Sequence, residues 1–288
     1  MASQSEKHAV FLMAACAGLW SIAGIFIKLI PWNSLVIAGL RSLIAAVVVF
    51  LYMYVAKIKI KINRSSVVSG FFIAGTFLAF VSANKLTTAA NAIVLQFTSP
   101  VFILVISALV FHQRFHKMDL LTVVVTLFGI SMFFFDKLGT GSLLGNCLGI
   151  FAGLFMAGMY VVTGRTDADS RMSGILLGHV FTALIGVPLI FVFPTPVTSQ
   201  AVMSILALGI VQLGIPYIFY GLAVKNCPPL ACSLIGAIEP LLNPVWVFLF
   251  NGEVPGAYAL FGGVVVISAV TAWCVWRDHF VAASNTGN

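Results

Sequence analysis

The sequence predicts an all-α, polytopic membrane protein with ten transmembrane helices arranged as two inverted five-helix repeats. Three observations predict it: the composition, the lengths of the apolar runs, and a weak self-similarity between the two halves. The 288 residues are 61% hydrophobic and 8% charged, with a mean hydropathy of +1.10, whereas soluble domains carry roughly 25% charged residues. Fifteen cationic and eight acidic side chains cannot cover a water-facing surface, so lipid is the solvent for most of the chain. Apolar segments use up nearly the whole length, which excludes a large appended soluble domain.

A span needs about 20 apolar residues. That length places spans near 8–30, 33–56, 66–86, 88–111, 118–136, 143–164, 173–193, 200–224, 228–250 and 255–276. Turn residues and charges separate them: Pro31, the run KIKIKINR, QRFHKMD, DKLGTG, TDADSR, PTP and NGEVPG. The box Met13-Ala-Ala-Cys16 is preceded by too short an apolar run for a signal peptide, so it reads as part of the first span, uncleaved.

The net charge of +7 does not point to nucleic acid, because the cations lie between apolar runs rather than on one face. With the N-terminus inside, eleven Lys and Arg fall on cytoplasmic segments (among them Lys57, Lys59, Lys61, Arg64 and Arg171), and three, Lys28, Lys85 and Lys137, fall outside. Positive charge stays on the cytoplasmic side, which places both termini there, in the inner (plasma) membrane. Cys16, Cys147, Cys227, Cys232 and Cys274 are odd in number and carry no CxxC or His pairing. They read as small buried hydrophobes rather than a disulfide framework or metal site.

The two halves align at drifting offsets. QFTSPVFILVISALVFHQ (96–113) lies over GAIEPLLNPVWVFLFNGE (236–253), which pairs Pro100 with Pro240; AGLW (17–20) lies over AGLF (152–155), and Arg41 over His179. Five helices per copy is an odd number, so the copies insert in opposite orientation, with a site expected near the midplane where they meet. These motifs, with the Ser99-Pro100 and Glu239-Pro240 dipeptides and the terminal Gly252-Glu253, resemble the drug/metabolite transporter superfamily, EamA type. The resemblance implies repeats over 8–136 and 143–276 and a central cavity lined by the first, third, fourth, sixth, eighth and ninth spans. Gln113 stands where the second repeat has Glu253, a departure at a helix end.

Candidate site residues follow from depth and face. Glu239 lies at the centre of the ninth span, where a charge costs at least ~2.5–3.5 kcal/mol on insertion scales, and Asn243 follows one turn later on the same face. Gln96 and Ser99 occupy the corresponding face of the fourth span. Gln212, Pro216 and Tyr220 form an i, i+4, i+8 stripe on the eighth, matched by Phe72, Thr76 and Phe80 on the third. Trp20, Phe155 and Tyr160 supply further aromatic surface for an apolar or cationic group. Each has a plainer reading: interhelical hydrogen bonds of ~0.6 kcal/mol are ordinary membrane packing, and aromatics are common in this chain. Arg41 lies near the outer end of its span and reads as a snorkelling charge. Glu239 and the imidazole of His179 are the candidates for proton coupling. Gly145, Gly149 and Gly153 form a small-residue stripe for close helix approach.

The sequence holds no P-loop, HExxH or GxGxxG motif. Transport is therefore expected to be secondary, without cofactor, catalytic residue or metal. The partners expected are a small-molecule substrate, membrane lipid and protons, with no nucleic acid, and the chain acts as a monomer or homodimer. Export of a small polar metabolite, amino acids first, is what the resemblance implies. An importer or exchanger of a cationic or sugar-like metabolite is the rival within the class; a non-transporting sensor or intramembrane enzyme is the rival outside it.

Overall fold

The structure is a computed structural model that describes residues 4–87, 89–133, 135, 142–251 and 257–286. Every regular element among them is helical. In chain order these are α1 (Gln4–Trp20), α2 (Ala23–Leu29), α3 (Ser34–Val55), α4 (Arg64–Leu86), α5 (Ala89–Gln96), α6 (Ser99–Phe111), α7 (Lys117–Phe133) and α8 (Leu143–Thr163). Then come α9 (Ala168–Gly186), α10 (Ser199–Ala207), α11 (Ile215–Ala223), α12 (Pro229–Ile235), α13 (Ile238–Asn251) and α14 (Ala257–Thr286). A 3₁₀ turn (Val187–Phe191) extends α9, and a π-helical turn (Leu208–Gly214) joins α10 to α11.

Among the described residues seven helical stretches are long and apolar enough to cross a membrane: Gln4–Ile27, Ser34–Val55, Arg64–Leu86, Asn91–Phe111, Leu143–Thr163, Ala168–Phe191 and Ser199–Ala223. Pro229–Leu242 and Phe261–Trp276 are shorter apolar helices, and α7 is an apolar helix of 17 residues. Polar caps at the sequence breaks set where several of these helices begin. Asn63 and Ser66 form a reciprocal capping box at the start of α4, Ser142 caps α8, Asp167 caps α9 and Thr198 caps α10. The Asp167 cap starts α9 five residues before the expected 173. Arg171 therefore sits within the helix, not in a loop, and donates to the carbonyls of Thr163, Thr166 and Gly221.

The packing centres on α4, which lies against α8 and α9, with α3 crossing α9 and α1 lying against α11. α7 and α14 pack on each other. The α3–α9 crossing is close enough that a Cβ on Gly39 would stand 2.6 Å from the Gly186 Cα. The small-residue stripe on α8 also meets its expectation as packing. A Cβ on Gly149 would lie 2.9 Å from the Leu95 Cβ, and one on Gly153 would lie 2.9 Å from the Gln96 carbonyl oxygen. The stripe thus seats the segment in which α5 gives way to α6.

Prolines interrupt the spans where their missing N–H and ring clash demand it. Pro100 follows the break at Phe97–Thr98, and Pro240 follows the break at Gly236–Ala237. In both, tighter bonds replace the lost ladder: Thr98 N–H donates to Leu95 O at 3.2 Å, and Ala237 N–H to Leu234 O at 3.0 Å. Pro216 follows the third irregularity, where the amide of Ile215 reaches back five residues to Ile210 O. That added residue turns everything after it by about 100° relative to an unbroken α-helix.

Candidate functional site

The interior polar site forms where seven helical stretches meet. Its lining side chains are Trp20, Arg41, Thr76, Phe77, Phe80, Gln96, Met156, Gln212, Leu213, Tyr217 and Glu239. Thr76, Gln212 and Glu239 lie near the middles of their helical segments, Arg64–Leu86, Ser199–Ala223 and Pro229–Asn251, so the site sits at mid-depth. Its volume is about 30 Å³, room for a water molecule or two and far short of a metabolite. The helices are drawn in closely around the site.

Six residues expected at the site line this cavity: Trp20, Thr76, Phe80, Gln96, Gln212 and Glu239. Glu239 is 6% exposed and sits just past the helix break, where its amide donates to Gly236 O at 2.9 Å. Gln96 ends α5, and its Nε2 donates to the Met156 sulfur at 3.2 Å while its Oε1 finds no partner among the described residues. Thr76 spends its hydroxyl on the Phe72 carbonyl at 2.8 Å. Trp20 lies 5.3 Å from the Tyr217 ring, centroid to centroid.

The others lie elsewhere. Ser99 is buried and shares a 2.9 Å hydroxyl contact with Ser233, a bond that ties α6 to α12. Tyr220 donates to Met159 O at 3.2 Å and packs edge-on against Tyr160, forming a layer beside the cavity rather than its wall. Phe155 packs against Phe71 and Phe72 and borders a different, apolar cavity of about 680 Å³ between α3, α4, α8 and α9. Exposed Phe71, Phe151 and Leu184 also border that cavity, which puts it on the lipid-facing flank. The side chain of Asn243 lies outside the described residues, as do Gly252 and Glu253.

The stripe Gln212–Pro216–Tyr220 is where sequence spacing misleads. An unbroken helix would place the three on one face. The π turn shifts the register, so Tyr217 joins Gln212 at the cavity and Tyr220 turns toward α8. Phe77, Met156 and Leu213 also line the site without having been singled out; Phe77 adjoins Thr76, and only the packing distinguishes it from other aromatics of the span. Arg41 departs further from expectation. It does not snorkel: it is 1% exposed, its Nη1 donates to Gln212 Oε1 at 3.2 Å, and its guanidinium carbon stands 5.7 Å from the Phe77 ring centroid. His179 is fully buried behind the cavity, stacked on Phe77 at 5.0 Å and edge-on to Tyr217 at 5.2 Å. Neither of its ring nitrogens has a hydrogen-bond partner among the described residues.

An all-helical bundle closing around a mid-depth site of Glu, Arg and two Gln, walled by aromatics, belongs to the class of multi-pass membrane transporters. The model of the EamA-like transporter family matches the chain twice, over residues 7–135 and 143–273, and the chain belongs to that family. Its members are transporters, not enzymes. It is 25% identical over 255 residues to the pseudopaline exporter CntI of Pseudomonas aeruginosa, in strains UCBPP-PA14 and PAO1, across 83% of this chain and 89% of each relative. A solved crystal structure shares the fold with a TM-score of 0.78 at 15% identity, covering 96% of this chain and 99% of its own.

Proposed function

We propose that the chain is a secondary transporter that exports small polar metabolites, amino acids first, by alternating access to the central cavity. The observation that carries the reading is the cavity itself. Acidic, cationic and amide side chains from both halves converge at mid-depth, where polar groups are costly unless they serve a substrate or one another. The exporter relative supports the outward direction.

The proposed architecture is ten spans in two inverted repeats, 8–136 and 143–276, with both termini cytoplasmic. Its support is the packing pattern. Exchanging each span for its counterpart five places along carries the α3–α9, α6–α12 and α7–α14 contacts onto themselves, and the α4–α8 contact onto α11–α1. The proline-linked breaks in α5–α6 and α12–α13 correspond in the same way. They are the proposed hinges, since the local hydrogen-bond ladder is already interrupted there. Glu239 and His179 are the proposed proton carriers. Glu239 faces the cavity with Arg41 and Tyr217, while His179 reaches it through Phe77 and Tyr217.

Counterflow in proteoliposomes of the purified chain, against a panel of labelled amino acids, tests the function. Accumulation of at least one amino acid in preloaded vesicles is expected. If none accumulates while a sugar or a simple cation does, the amino-acid reading is wrong.

A further inference from the structure

Arg41 is a buried cation at the site whose hydrogen bonding is incomplete. A guanidinium keeps its charge and offers five N–H donors with no acceptor. Here one of them is directed to the neutral Gln212 amide, and the Nε–H has no partner among the described residues. The ring of Phe77 covers one side. No carboxylate stands within ion-pair distance: among the described residues the one ion pair is Lys61–Asp167, at the end of the bundle. A buried cation at mid-membrane without an anion is costly, and this one borders a cavity rather than a packed core. Glu239, the other charged residue of the lining, borders the same cavity without meeting it as an ion pair.

We infer that Arg41 anchors the carboxylate of the transported molecule, whose cationic group goes to Glu239 and whose apolar part lies against Trp20, Phe77 and Tyr217. The planar fork of a guanidinium matches a carboxylate through two parallel hydrogen bonds, and Gln212 holds that fork toward the cavity. The cargo class is therefore a zwitterion with an apolar side chain. This rests on the transporter reading above but adds a requirement that the reading does not contain: the substrate must be an anion at one end.

Three probes of one shape separate the terms: leucine, leucinamide (no carboxylate) and N-acetylleucine (no cation). Proteoliposome flux is measured for the wild type, Arg41→Gln and Arg41→Lys, with thermal shift in detergent to check folding and binding. The wild type is expected to prefer leucine over leucinamide by roughly tenfold or more in kcat/KM. Arg41→Gln should lose that preference, its leucine flux falling by more than its leucinamide flux. Arg41→Lys keeps the charge but not the fork, and should raise the KM for leucine while largely sparing kcat; this outcome also covers a failure of Arg41→Gln to fold. N-acetylleucine moved as well as leucine, and only with Arg41 present, supports the anchor and removes the amino-acid reading. Leucinamide moved in preference to leucine, or a folded Arg41→Gln that keeps the wild-type preference, overturns the anchor and leaves the transporter reading standing. No flux and no thermal shift with any probe overturns the anchor and the apolar zwitterionic cargo, while the counterflow panel above decides the transporter reading.

Discussion

Gln212 accepts from Arg41 at 3.2 Å, and it does so from a π-helical turn that Pro216 follows. The bond links α3, in the first half, to the stretch Ser199–Ala223 in the second. The same turn brings glycine against α3, where a Cβ on Gly209 would stand 2.5 Å from Ile44 Cβ. Backbone irregularity, close approach and the placement of a buried charge are thus one local device.

Gly153→Leu should destabilise the fold by about 1–3 kcal/mol, the usual cost of overpacking, because the α5–α6 break occupies the space its side chain would need. Gly18→Ala is the control. Its added methyl would meet Leu242 Cδ1 at an ordinary 3.7 Å, and melting in detergent should be unchanged or slightly higher.

The Asp167 cap makes stability depend on acidity. Hydrogen bonds from the Ser170 hydroxyl and amide, and then Lys61, hold its carboxyl at a pKa of about 2. A depressed folded-state pKa contributes stability above the unfolded value near 3.8, and that contribution is lost as pH falls toward 2. The difference in melting temperature between wild type and Asp167→Ala should therefore shrink as pH is lowered from about 5 to about 2.5. A difference that stays constant across that range would show that Asp167 acts through packing alone.

A cytoplasmic reporter fused after Asn288 should be active, and one placed in the 194–199 loop should be silent, as the cation distribution requires. A periplasmic signal from the C-terminus would reverse the topology.

Much of the fold was legible because lipid imposes simple demands: apolar length, and charge at the ends. Pro100 and Pro240 marked their breaks for the reason that any proline does. The site was only partly legible. Glu239, Gln96 and Gln212 stood out as polar groups at depth. The faces of Tyr217 and Tyr220 depended on one added residue in a turn, which no spacing rule shows. Arg41 was misplaced because its distance from a span end says nothing about which way its side chain turns. Ser99 has the right depth and face, but a neighbouring hydroxyl, Ser233, takes it up.

His179→Phe should fold at least as stably as wild type. Phenylalanine keeps the stack on Phe77 and removes two buried nitrogens that lack partners. A flatter pH profile of flux in this variant would support His179 as a proton carrier, whereas an unchanged profile would assign it to packing.

Flux against pH in proteoliposomes reads out whether Glu239 is the titrating group of a transport site. Glu239→Gln keeps the shape of the side chain and removes its charge and its ability to exchange a proton. The variant should insert and melt like wild type, while its flux either stops or loses its dependence on pH. A folded Glu239→Gln that transports at the wild-type rate with the wild-type pH profile would make the residue structural and rule out proton exchange there.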